Sequence, residues 1–282
     1  EARAASSMLA LLAAYGLPWW RKLLRAWAAA RHDHYDPAQA PWVRDELPEI
    51  CRALCVVPLH QGSALAQVMA DRSWEWLESQ IRLATDLRLP SERERELRSL
   101  AGPFLGIVRA CSHAGGDDLS RQAIQLLAND NRFWSLSIEV LRAAHSRKAG
   151  REDPRLRLNL LHAHCTAMLN EWLDQPVRAA DDWSVRDPVP GSGPLHAAFV
   201  QFLRASRQIR KEWPLAKQSR REIHRFIDEG GLPLTHVTRH TGRPFTLVLE
   251  KTAKLFEREA TQRKGWIKTL QWLRETEAEF RS

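Results

Sequence analysis

Along the first 175 residues or so, apolar side chains return every three or four positions, the period of an amphipathic helix, with Pro, Gly, Asn and Asp at the breaks. Pro18 opens a segment in which Trp20, Leu23, Leu24 and Trp27 share a face, and after Ser73 the same spacing recurs in Trp76, Leu77, Ile81 and Ala84. Ser91 with Glu94 spells a capping box, serine oxygen and carboxylate each satisfying an orphan backbone donor. Further helices are predicted over Phe104 to Ala114, Leu119 to Ala128, Asn131 to His145, and from Pro154 to near Leu173. Trp20, Trp76 and Trp134 recur at roughly 57-residue spacing, which predicts repeated helical units stacked like an α-solenoid, although no motif repeats letter by letter.

The stretch 176–194 breaks the pattern. Pro176, Pro188, Pro190, Gly191, Gly193 and Pro194 predict a linker. Beyond it the sequence predicts a helix from Leu195 to about Ile209 and another capped by Ser219 with Glu222, carrying Ile223, Phe226 and Ile227 inward. The one β signal follows: Leu234 to Arg239 and Phe245 to Glu250 are Thr- and Val-rich runs joined by His240-Thr241-Gly242-Arg243, a hairpin. Its inward face is either Leu234, His236 and Thr238 or Val237 with Leu247 and Leu249, and the second set is the one expected inside. A last helix from Thr252 to about Phe280 is long enough to cover it. The expected fold class is mainly α, a repeat-like helical array over 1–175, the linker 176–194, and a small α+β module of helix, hairpin and helix over 195–282.

Composition narrows the setting. With 44% hydrophobic residues in 282, there is material for real cores, and no run approaches the roughly 18 apolar residues of a membrane span. No secretory signal reads in order from Glu1, so the chain is taken as cytoplasmic, with no membrane partner, and as a segment of something longer. Cys51, Cys55, Cys111 and Cys165 are scattered through apolar helical contexts, which suits free thiols better than a disulfide scaffold. Charge is uneven: Arg204 to Lys268 holds 16 Lys/Arg against 7 Asp/Glu, net +9, so the remainder is close to neutral. Such a cluster attracts phosphate or acidic protein surfaces, or is simply a solvated helix face.

Each candidate chemistry meets a plainer explanation. His34-Tyr35-Asp36 has the His-x-Asp form of an iron facial site, but no jelly-roll strands surround it. Cys51 and Cys55 with His162 and Cys165 could form a two-plus-two zinc set, yet cysteines inside apolar helices read as buried thiols. Gly191-Ser192-Gly193 follows no apolar strand and is no nucleophile elbow. His224, His236 and His240 are close in sequence, but no cysteine or carboxylate is seen to complete a ligand set, and no metal is assigned. Arg220, Arg221, Arg225, Arg239, Arg243 and Lys251 form the expected basic patch, with Trp213 or Phe245 as a stacking surface if the ligand is nucleic acid. The sequence shows no catalytic constellation of its own.

The run Leu232 to Thr252, LPLTHVTRHTGRPFTLVLEKT, resembles the C-terminal region of uncharacterised fungal and bacterial proteins that carry a prolyl-hydroxylase-like 2-oxoglutarate/iron(II) oxygenase domain earlier in the chain. Trp213 to Lys217, His224 and Leu255 to Glu259 are similar as well, and Ser73 to Leu77 loosely so. Where the family pattern has a Cys-x-x-Cys, this chain has Gly191-Ser192-Gly193-Pro194. The resemblance implies an oxygenase parent whose iron and 2-oxoglutarate ligands lie outside this chain, with this segment an accessory region that scaffolds the parent or binds a protein partner or adjoining domain. The rival expectation is nucleic-acid binding by the basic module.

Overall fold

A computed structural model describes residues 2–29, 41–56, 60–87, 90–147, 156–186 and 191–281. His34-Tyr35-Asp36 and the side chain of Trp27 lie outside the described residues. The architecture is mainly α with one small sheet, and the chain divides into two units: 1–87, 91–170 and 270–282 form the first, and 88–90 with 171–269 the second.

The first unit holds α1 (Ala2–Ala29), a π-helical turn Trp42–Glu46 leading into α2 (Leu47–Val56), α3 (His60–Thr85), α4 (Pro90–Ser99), α5 (Ala101–Ala114), α6 (Asp117–Ala128), a 3-10 turn Asn131–Phe133, α7 (Trp134–Ser146) and most of α8 (Leu158–Asp174). Helix α5 is its centre, packing on α2, α3, α6, α7 and the π turn. The sequence explains this: Phe104, Leu105, Ile107, Val108, Ala110 and Cys111 are all buried and only Gly102, Arg109 and His113 are partly exposed, so a helix apolar on most sides has to be covered on most sides. Gly106 sets the closest approach. A Cβ there would sit 2.2 Å from the Val43 carbonyl oxygen, so only glycine lets α5 touch the π turn. Trp20 and Trp76 are buried and Trp134 half-buried, and Trp74 meets Phe104 edge to face at 6.0 Å. Buried Ser79 and Ser137 donate back to the Trp76 and Phe133 carbonyls at 2.6 and 3.0 Å, which removes the cost of an unpaired hydroxyl.

The second unit contains α9 (Pro194–Arg204), β1 (Arg210–Pro214), α10 (Lys217–Gly230), β2 (Leu234–Arg239), β3 (Thr246–Lys251) and α11 (Lys254–Phe280) as far as Thr269. Its sheet is antiparallel in the order β1-β3-β2. Phe199, Phe202, Ile223, Phe226, Leu247 and Leu249 anchor the core. Helix α10 ends at Gly231, whose φ of 53° puts it in the left-handed region where glycine carries no Cβ penalty.

Several expectations change here. The helix after Pro194 stops at Arg204 rather than near Ile209, and residues 210–214, to which the sequence assigned no element, form a third strand. The charges of Arg210, Lys211 and Glu212 hide a two-residue alternation in which Lys211 and Trp213 point inward. The hairpin is present, but its faces are reversed for Val237. Pairing sets Val237 opposite Val248, and Leu247 and Leu249 opposite Thr238 and His236, so Val237 is 62% exposed while the two leucines are buried. Ser219 is not a cap, because α10 begins at Lys217 with Ala216 before it, and Ser91 likewise lies inside α4. Within the stretch read as linker, residues 176–186 carry packing: Val185 is buried and donates its N–H to the Leu203 carbonyl at 2.8 Å.

Candidate functional site

The basic module is the site the sequence singled out, and the structure disperses it. Lys251 is only 2% exposed. Its Nζ donates to the Leu203 and Ala205 carbonyls at 3.0 and 2.6 Å and lies 4.8 Å over the Phe202 ring. It therefore caps the C-terminal end of α9, where a helix presents unpaired carbonyls and partial negative charge. Burial pulls its pKa down to about 8. Lys251 is corrected from surface patch to internal cap. Lys211 plays a similar part, with Nζ 3.4 Å from the Ala198 carbonyl and 4.1 Å over Trp213, and burial lowers its pKa as well.

Arg220 is turned inward along α10. It donates to the Leu215 carbonyl and, at 3.3 Å, to the Phe245 carbonyl, and its guanidinium sits 5.2 Å over the Phe245 ring. His240 meets the same ring edge to face at 4.7 Å, and Trp213 packs against the core. Both aromatic rings proposed as stacking platforms are thus already engaged. Arg239 lies on the outer face of the sheet and pairs with Glu212 at 3.1 Å, which also takes Arg210 at 2.8 Å. That face carries Arg210, Glu212, Arg239 and Glu250, two cations and two anions, so it sums to zero. Arg221, Arg225 and Arg243 are exposed as Arg239 is, the first two one turn apart on α10.

The structure does bring two of the three histidines together. His224 of α10 and His236 of β2 face each other through their Nδ1 atoms, with ring centroids 4.5 Å apart, and His236 Nε2 lies 3.3 Å from Asp228 Oδ1. If His236 Nε2 carries the proton given to Asp228, its Nδ1 is the acceptor for the Nδ1–H of His224. Burial and then the neighbouring His236 hold the His224 pKa below its ordinary value. Sequence alone did not find Asp228 because it lies one turn along α10 from His224 and reaches a ring on another element.

Arg178, in the stretch read as linker, was also missed. Its side chain is 4% exposed, pairs with both oxygens of Glu259 on α11, and donates to the Asp182 and Ser184 carbonyls at 2.9 and 2.6 Å. Elsewhere, Cys51, Cys111 and Cys165 are buried thiols, burial raising all three pKa values, the last two to about 12. Cys51 Sγ donates weakly to the Ala66 carbonyl, while His162 Nε2 donates to the Leu273 carbonyl at 2.8 Å and stacks on Phe280. Among the described residues no group of three or more His, Cys, Asp or Glu is arranged to hold a metal ion. No described helix is long and apolar enough to cross a membrane.

Comparison with protein-family models, with curated proteins and with solved structures finds no match.

Proposed function

We propose that this chain is a non-catalytic accessory region of a larger 2-oxoglutarate/iron(II) oxygenase-type protein, serving as a scaffold that docks an adjoining domain or a protein partner. The oxygenase parentage rests on the resemblance of Leu232 to Thr252. Because the described residues supply no set of iron ligands, no step of that chemistry is assigned to them. The observation that carries the scaffold role is where the cations of the second unit go. Arg178, Lys211, Arg220 and Lys251 are spent on carbonyls and carboxylates of the fold itself, and Arg239 is neutralised by Glu212. A phosphate-binding groove needs those charges free and facing one way.

The second reading, nucleic-acid binding, keeps Arg221, Arg225 and Arg243 in its favour because they are exposed. Calorimetric titration against the separately expressed remainder of the polypeptide tests the first reading, with a saturable complex at modest salt dependence as the expected result. A gel shift with single- and double-stranded DNA at about 50 and 200 mM salt tests the second. A DNA complex that weakens steeply with salt and disappears in Arg221→Glu/Arg225→Glu replaces the scaffold reading. Iron-dependent turnover of 2-oxoglutarate by this chain alone overturns its non-catalytic part.

A further inference from the structure

Helix α1 turns one face inward through Leu12 and Trp20 and leaves a second apolar row in solvent. Leu11, Tyr15, Trp19 and Leu23 recur every four residues and are 37–59% exposed. Gly16 breaks the helix with φ 73° and ψ 166°, yet the row continues across the break, since the Tyr15 and Trp19 rings stack at 5.0 Å. Ala2–Ala29 contains four Arg/Lys and no Asp or Glu, and Arg21, Lys22 and Arg25 are exposed near the tryptophan end of the row. Leu23 also lines a cavity of about 340 Å³ whose other walls are mainly Met8, Trp20, Leu24, Trp42 and Met69, with Arg72 and Ser73 as its polar members.

We infer that α1 docks on the surface of an anionic lipid bilayer, lying in the headgroup plane with Leu11, Tyr15, Trp19 and Leu23 immersed. Three features select this occupant. Tyr and Trp rings are amphipathic and favour the headgroup depth. A cationic helix with no carboxylate is attracted by anionic headgroups, with Lys22 flanking the row and Arg21 and Arg25 further round the helix. The cavity beside Leu23 offers almost no partner for a peptide N–H or C=O but suits hydrocarbon. The absence of a spanning helix is no obstacle, because an interfacial helix lies on the membrane rather than across it. This inference is independent of the scaffold reading.

The test is sedimentation of the whole chain with vesicles of phosphatidylcholine containing about 30 mol% phosphatidylserine, against vesicles of phosphatidylcholine alone. The expected result is binding to the anionic vesicles, lowered roughly tenfold or more by Arg21→Glu/Lys22→Glu/Arg25→Glu and by Trp19→Ser/Leu23→Ser, with helical circular dichroism unchanged. Because the charge reversals touch no apolar contact, they decide the matter even if the serine variant misfolds. Absence of vesicle binding, or binding indifferent to both variants, overturns the inference. So does a solution dimer that Trp19→Ser/Leu23→Ser dissociates without any vesicle binding, which assigns the face to a second copy.

Discussion

The two units bury different chemistry. In the first, the buried titratable groups are the thiols Cys51, Cys111 and Cys165, all held neutral, and His162, which donates to the Leu273 carbonyl, while the remaining buried polar atoms are mostly hydroxyls returned to their own helix. In the second they are cations. Arg178, Lys211 and Lys251 each donate to backbone carbonyls, at the turn 182–184 and along α9 to its C-terminal end. The difference follows from the elements available. Helices satisfy most of their own backbone, while five- and six-residue strands and the turns that join them have proportionally more ends. Positive charge in a sequence is therefore not by itself a sign of an anionic ligand, because part of it here is backbone capping.

The sharpest way to break the comparison is at the apolar centre. Gly106→Ala forces a methyl against the Val43 carbonyl, and a loss of about 3 kcal/mol is expected, confined to peptides of the first unit in hydrogen exchange. Equal loss of protection in the second unit would show that the two do not respond separately. Next is Arg178→Met, which strands the Asp182 and Ser184 carbonyls and should cost about 2 kcal/mol. Limited trypsin digestion should then cut at Arg186, where the wild type resists. Wild-type cleavage at that residue would return 176–186 to the status of a loose linker.

Lys251 supplies a pH test. Its folded pKa of about 8 lies below the ordinary 10.5, so between these values the unfolded chain holds the extra proton and stability must rise with pH. The gain should be about 2 kcal/mol between pH 8 and 10.5, with Lys251→Met flattening the curve. A fall over that range, common to both proteins, would mean the amine is not desolvated. For His224 the depressed pKa has the opposite experimental end: stability is present above the ordinary histidine range and is lost as pH drops through it. His236→Gln should blunt that acid loss, a smaller effect read from midpoints of urea unfolding at pH 5 and 7.5. The smallest change is expected from Arg221→Glu/Arg225→Glu, within about 0.5 kcal/mol of wild type, since both side chains are exposed opposite Ile223, Phe226 and Ile227.

Much of this fold was legible because periodicity reports burial directly. The helix at Asn131 to Ser146, the hairpin strands and the inward Ile223, Phe226 and Ile227 all follow from spacing. What failed did so where two signals compete. Arg210 to Pro214 alternates like a strand, but three charges in a row look like a solvated helix. Register decided the fate of Val237, and register depends on how the six residues 240–245 turn, which composition does not reveal. For Lys251 the clue was present: Leu247, Leu249 and Lys251 occupy alternate positions of one strand, so the lysine shares the leucines' face. The meeting of His224, His236 and Asp228 required knowing which helix lies over which strand.

The strand order β1-β3-β2 has a consequence in time. The middle strand of the sheet is the last to be synthesised, so β1 and β2 emerge from the ribosome with no neighbour to pair with, and the first to appear waits longest. At translation rates of about 5–20 residues per second, the edges of β1 stay open for seconds after Pro214 is made. Its charged composition, Arg210-Lys211-Glu212, suits that interval, because a nascent strand bearing three consecutive charges is a poor template for aggregation. Assembly of the second unit is thus gated by the arrival of Thr246–Lys251, and a ribosome stalled before that point would hold the module without its sheet.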